Sequence, residues 1–154
     1  MKIHNAQMEN LLYPICVEEY CSYFNVQFDE LALPCIFCRI PVCSDELTTF
    51  QCRKLSLVWR KGDCYAACLA CIADVAKYER DRYFQCAING LYIEYFSQKP
   101  LQDLIVRCLY CMALITNEEK IDTIGSGCNF YLVRGNWKGV CRSCIQNAGT
   151  TTNN

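Results

Sequence analysis

The sequence predicts an α+β fold built from two tandem, homologous small modules, each combining short helices with a small antiparallel sheet, joined by a linker helix. Three observations carry this expectation. The spacing C-x-x-C occurs four times, at Cys35/Cys38, Cys68/Cys71, Cys108/Cys111 and Cys141/Cys144. The intervals 39–67 and 112–140 each hold 29 residues. A shift of 73 residues lays the first four of these cysteines on the last four; it also matches Leu31 with Leu104, Glu46 with Glu119 and Gly62 with Gly135, and pairs Ile36 with Leu109 and Phe37 with Tyr110. One module has been duplicated within the chain.

The elements follow in order. Residues 1–10 are polar and are expected to form a flexible tail, with the first module over 11–71. After its first knuckle, Ser44-Asp45-Glu46 signals a helix start. Leu55-Ser56-Leu57-Val58-Trp59 is rich in strand formers and runs to a turn glycine, Gly62. Residues 72–100 form the linker region, with a helix over roughly Ala73 to Phe84 that can end at Asn89-Gly90. The second module, 101–145, repeats the plan. Thr116-Asn117-Glu118-Glu119 has the capping-box spacing, and the strand-like Phe130-Tyr131-Leu132-Val133 leads to Gly135. Residues 146–154 are expected to be a second flexible tail.

Composition excludes several classes. The chain has 154 residues, 53% hydrophobic and 20% charged, a globular balance. Fifteen cysteines suit a disulfide scaffold only in a secreted chain, and MKIHNAQMENLLYPIC has no continuous apolar signal core. The longest apolar run, Cys64 to Ala73, is ten residues, far short of the roughly 18 needed to span a bilayer. The expectation is a soluble intracellular protein with reduced thiols and no membrane partner. A formal charge of −1 gives no footprint for non-specific nucleic-acid binding, so nucleic acid is not expected as the main partner.

A module of this size cannot bury enough core to fold alone, and a structural metal is the usual remedy in a reducing compartment. Four thiolates from two knuckles satisfy tetrahedral zinc with no position left for water. Cys35, Cys38, Cys68 and Cys71 are assigned to one zinc, and Cys108, Cys111, Cys141 and Cys144 to the other. The equal intervals favour two self-contained sites over cross-braced pairing. Eight thiolates and two Zn2+ add −4 to the formal charge, so the loaded chain sits near −5. Arg39, Arg107, Lys138 and Arg142 adjoin the knuckles and are expected to offset that field. A redox role for the C-x-x-C pairs is the competing reading, and it predicts reversible disulfides instead of zinc.

Catalysis has little to stand on. The one histidine, His4, lies in the N-terminal tail, and neither a cysteine nucleophile with a placed base nor an open zinc position is supported. Glu18/Glu19 and Glu118/Glu119 fall at helix starts, where the helix dipole accounts for them. The chain reads as a binding protein and not an enzyme.

The two C-x-x-C-x29-C-x-x-C modules, separated by 36 residues, resemble the papillomavirus early protein six family, the two-zinc viral oncoproteins. Three segments carry the resemblance besides the cysteines. Trp59 to Cys68 (WRKGDCYAAC) is similar to the family's approach to its second knuckle. Pro100 to Cys108 (PLQDLIVRC) is similar to the start of its second module, and Val133 to Cys141 (VRGNWKGVC) to its closure. Together they cover about residues 11 to 145.

The resemblance implies a non-enzymatic adaptor with two structural Zn2+, acting in the host nucleus and cytoplasm. It implies that the zinc modules and linker helix form a groove for an acidic L-x-x-L-L helix of a host protein. On these positions the groove would use Phe37, Leu55, Val58, Ala67, Ile72, Val75, Leu104 and Ile105 as apolar wall, with Leu55 and Val58 on a strand of the first module, and Arg60, Arg107 and Arg134 against peptide acids. Glu79 is expected near the peptide path, where it disfavours some acidic ligands. One branch of the family recruits a HECT-type ubiquitin ligase to degrade tumour suppressors and to block apoptosis and interferon responses. Another represses Notch signalling through Mastermind-like coactivators, and the chain leans towards this branch. Thr151-Thr152-Asn153-Asn154 lacks a terminal apolar residue, so no PDZ partner is expected. A zinc-dependent DNA-binding or transcription-regulating protein is the alternative.

Overall fold

The computed structural model describes residues 13–151. The expected tail at 1–10, with His4, and the residues after 151 lie outside them. The chain divides into two compact units, with the boundary between Ile72 and Ala73.

In the first unit, helix α1 (Val17–Phe24) ends at Asn25, whose φ of 53° is the left-handed stop that Asn tolerates. A short 3-10 turn (Phe28–Glu30) leads to strand β1 (Leu33–Pro34), which pairs antiparallel with β2 (Pro41–Val42). Helix α2 (Ser44–Cys52) places Asp45 and Glu46 in its first turn, favourable against the helix dipole, and turns Leu47 and Phe50 inward. Strands β3 (Val58–Arg60) and β4 (Asp63–Tyr65) form a hairpin over Lys61-Gly62, both with positive φ, 54° and 81°. That pair of angles matches the twist of the strands. Val17, Leu33, Val42, Leu47, Phe50 and Trp59 are buried here. The indole N–H of Trp59 donates to the Pro14 carbonyl at 2.7 Å.

The strand-rich stretch beginning at Leu55 becomes a strand only at Val58. Lys54 takes φ 57° and the Leu55 N–H closes back on the Phe50 carbonyl, so residues 55–57 unwind from α2 rather than extend into β3. Leu55 therefore stands before the strand and not on it.

Helix α3 (Leu69–Tyr83) starts inside the second knuckle, earlier than Ala73, and carries the chain across the unit boundary. It stops at Tyr83. Phe84–Asn89, expected as a continuation or end of the helix, is strand β5, antiparallel to β7 (Asn129–Val133). Partnership with a strand far along the chain overrides local helix preference. The second unit continues with a 3-10 turn (Gly90–Tyr92), helix α4 (Ile93–Ser97), a second 3-10 turn (Leu101–Asp103), strand β6 (Arg107–Cys108), helix α5 (Asn117–Gly125), β7, strand β8 (Asn136–Gly139) and helix α6 (Arg142–Thr151). The sheet order is β5-β7-β8-β6, antiparallel except for β6 with β8. Its core gathers Ile93, Leu104, Val106, Cys108, Ile115, Phe130 and Cys141. The capping box at Thr116 and Glu119 is fully made. Helix α6 runs past Ile145, through part of the segment expected as a tail. Gly90 is a packing requirement: a Cβ there would stand 3.1 Å from Ile124 Cγ1 and 3.2 Å from the Cys128 carbonyl.

Lys120 is buried, 3% exposed, at the position that Leu47 holds in the first unit. Its ammonium donates to the Leu101 carbonyl at 2.8 Å, to the Leu104 carbonyl and to Asn117 Oδ1 at 3.2 Å. It ties the 3-10 turn to α5, and burial pushes its pKa down. Lys120→Leu, which copies the first unit, removes these bonds and is expected to destabilise the second unit by about 1–3 kcal/mol. Denaturant unfolding of the zinc-saturated protein measures it; unchanged stability would contradict the assignment.

Candidate metal centres

The sulfurs of Cys35, Cys38, Cys68 and Cys71 lie within 4.8 Å of one another, as do those of Cys108, Cys111, Cys141 and Cys144. Tetrahedral zinc with Zn–S bonds of about 2.3 Å needs sulfurs about 3.8 Å apart. Cys38 and Cys68 stand at 3.8 Å, and Cys108/Cys144 and Cys111/Cys141 at 3.6 Å.

The same backbone device builds both centres. Arg39 and Met112, each following its first knuckle, have φ of 68° and 65°. Their N–H groups return to the carbonyls of Cys35 and Cys108 at 2.9 and 3.1 Å, folding each knuckle around its sulfurs. Ile36 N–H bonds the Ala66 carbonyl and Leu109 N–H that of Gly139, joining the first knuckle to the hairpin strand that delivers the second. The second knuckle then opens a helix. The Glu46 carboxylate accepts from Leu69 N–H at 3.1 Å, and Glu119 from Arg142 N–H at 2.8 Å. Both carboxylates therefore anchor the helix start beside Cys68 or Cys141. All these pairs are related by the 73-residue shift.

The electrostatics fit a cation. Burial raises the Cys35 thiol, but the backbone N–H groups of Cys38, Cys68 and Phe37 outweigh it and hold it at about 6. A hydrogen bond from Cys111, with backbone N–H groups of Cys141, Tyr110 and Cys111, overcomes burial and holds Cys108 at about 4. The neighbours move the other way. The bond with Cys68 pushes Cys71 up, the bond with Cys108 pushes Cys111 up, and burial pushes Cys144 up to about 12. The protein alone stabilises one thiolate per centre, and four need a metal. Each four-cysteine set suits one structural Zn2+.

The basic residues beside the knuckles have other partners. Arg39 stacks on Tyr65 at 4.7 Å; in the second unit the corresponding positions are Met112 and Lys138, whose Sδ and Nζ meet at 3.6 Å. Arg142 binds Asp122 through Nε and Nη2, at 3.0 and 2.7 Å.

Within the first unit, Phe37 projects between two ligands and is 56% exposed. Leu55, Val58 and Ala67 are half-buried, Ile72 is buried, and Arg60 is exposed with Nη1 on the Trp59 carbonyl. Within the second unit, Val75 is half-buried and Ile105 is 73% exposed. Leu104 is a core residue of the second unit. Leu104, Ile105 and Arg107 do line one pocket of about 460 Å3, together with Lys99, Trp137 and Lys138. Arg107 is half-buried there, with Nη1 on the Met112 carbonyl and its pKa lowered by burial. Arg134 points elsewhere, stacked on Tyr83 at 4.7 Å and 4.0 Å from Glu79, which is thereby paired. Trp137 escaped the sequence reading because only the parallel pairing of β6 with β8 brings it to Ile105; Lys99 reaches the pocket from the other side of the 3-10 turn Leu101–Asp103.

Two four-cysteine centres, each spanning a helix, a hairpin and a following helix start, define a tandem zinc-binding protein of the zinc-finger type. The family model described as Early Protein (E6) matches residues 35–144. Protein E6 of human papillomavirus type 60 is 44% identical over 140 residues, 91% of this chain and 99% of that protein. Protein E6 of human papillomavirus 4 is 40% identical and that of human papillomavirus 65 is 38% identical, each covering 86% of this chain and 95% of the relative. The solution structure of the C-terminal zinc-binding domain of HPV51 oncoprotein E6 aligns at 30% identity with 41% of this chain and 83% of that one, TM-score 0.38. The chain belongs to the E6 family of papillomavirus oncoproteins. These relatives are named as viral proteins, without an enzymatic name.

Two outcomes follow from the centres. Protons compete with zinc for thiolates, so metal leaves as pH falls. Acid titration with a zinc-sensitive dye should release two equivalents of Zn2+ per chain as pH falls; retention of both at a pH where free thiolates are fully protonated would contradict this. Cys108→Ser should leave one Zn2+ per chain by native mass spectrometry and unfold the second unit, because structural zinc supplies an apparent 10–16 kcal/mol or so per site.

Proposed function

We propose that the protein is a zinc-dependent adaptor that binds acidic L-x-x-L-L helices of host proteins. The observation that carries this reading is the pocket of the second unit, where the 73%-exposed Ile105 lies beside Lys99, Arg107 and Lys138. An aliphatic anchor next to the cations of Lys99 and Arg107 suits a peptide that carries leucines among acids. In the first unit, the exposed Phe37 and the half-buried Leu55, Val58 and Ala67 supply further apolar surface. The pairing of Glu79 with Arg134 offsets the one carboxylate expected to disfavour acidic ligands. The first partner to test is a Mastermind-like coactivator, whose capture would repress Notch signalling; a HECT-type ubiquitin ligase redirected towards tumour suppressors is the second. Such partners imply action in the host nucleus and cytoplasm.

Anisotropy of a labelled acidic L-x-x-L-L peptide tests the reading on protein with two Zn2+ per chain. Leu55→Glu and Arg107→Ala should each weaken binding at least tenfold, with Arg107→Ala losing most of its effect at high salt. Equal binding by all three proteins would sink it. Tight duplex DNA binding with a steep salt slope and no peptide uptake would favour the DNA-binding alternative.

A further inference from the structure

We infer that the second zinc unit carries a peptide site of its own, a cavity that takes the apolar face of a short amphipathic helix with basic flanks. The cavity, about 540 Å3, lies among α5, β7 and α6 and is separate from the pocket around Ile105. Tyr110, Cys128, Tyr131, Val140, Ile145 and Ala148 contribute its apolar wall. Tyr110 and Ile145 are among the large apolar residues left exposed. Nothing in the wall asks for a polar ligand, since no buried side-chain N or O among the described residues lacks a hydrogen-bond partner. Recognition must come from apolar anchors inside and charge at the rim.

The rim is acidic. Glu119 and Asp122 line it, and Glu118 stands 3.8 Å from Arg142. These three carboxylates outnumber the guanidinium groups of Arg142, bound to Asp122, and Arg80, stacked on the Tyr110 ring at 4.6 Å. Apolar side chains spaced along one helical face, with Lys or Arg beside them, meet both requirements.

The internal repeat gives an independent reason. Shifted by 73 residues, the six wall residues fall on Phe37, Leu55, Val58, Ala67, Ile72 and Val75, the apolar positions nominated for the L-x-x-L-L helix. Apolar residues thus occupy the same six positions in both copies. Asp122 and Arg142 stand where the first copy has Thr49 and Leu69, so the copy was given a different charge preference. The cavity and its rim stand whether or not the first surface takes an acidic helix.

The test uses the zinc-loaded full chain and two designed helical peptides with leucine at i, i+3 and i+4, one flanked by lysine and one by glutamate. Binding is followed by anisotropy and by 15N amide shifts. The lysine-flanked peptide should bind and shift the amides of Tyr131, Val140 and Ile145, which the glutamate-flanked peptide should leave in place. Ile145→Glu, at an exposed position, should cut that binding at least tenfold. Asp122→Asn should weaken binding of the lysine-flanked peptide several-fold. Should Ile145→Glu lose zinc, the shift map and Asp122→Asn still decide. Shifts of these amides by both peptides alike, shifts confined to other surfaces, or a cavity already closed by a second copy in sedimentation would overturn the inference. Failure of the acidic peptide with Leu55→Glu and Arg107→Ala reports only on the other site.

Discussion

Four thiol sulfurs held within 4.8 Å form a set that has no stable charge state without a cation. Deprotonating one raises the next, as Cys108 and Cys111 show by moving in opposite directions. Zinc removes the conflict by accepting all four as thiolates, and each loop between knuckles then closes on itself. The helix, the hairpin and the helix start within each loop inherit their places from that closure. Small units with strands as short as the 2 residues of β1, β2 and β6 have few other means of cohesion.

The duplication was preserved in backbone geometry more than in side-chain chemistry. Left-handed residues recur at Arg39 and Met112, Lys61 and Arg134, and Lys54 and Gly127. Glu46 and Glu119 cap the same helix start in each copy, whereas Thr116 completes a capping box that Cys43 cannot. The cation of the Arg39–Tyr65 stack sits on the opposite partner in the Lys138–Met112 contact. Metal geometry demands the turns; the side chains around them were free to diversify, and surface function follows that freedom.

The cages were legible because ligand spacing is local and covalent, and Thr116 and Glu119 are only three residues apart. Strand β5 was not legible, since Phe84–Asn89 becomes a strand only by pairing with β7. The core place of Leu104 depends on neighbours as far along the chain as Phe130 and Cys141. Nothing local to Lys120 marks it as buried; its acceptors at Leu101 and Leu104 lie 19 and 16 residues upstream. In each miss, a partner distant in sequence decided the residue's environment.

The buried Lys120 also makes the halves non-interchangeable. A crossover placing the second α5 in the first loop would bring a longer, charged side chain into the niche that fully encloses Leu47. Overfilling a packed aliphatic site while desolvating an ammonium carries a penalty of several kcal/mol. The reverse crossover would take the ammonium away from the Leu101 and Leu104 carbonyls. Repeats within one gene invite unequal exchange, and a single lysine here acts as a barrier to it, keeping the two copies distinct once they had diverged.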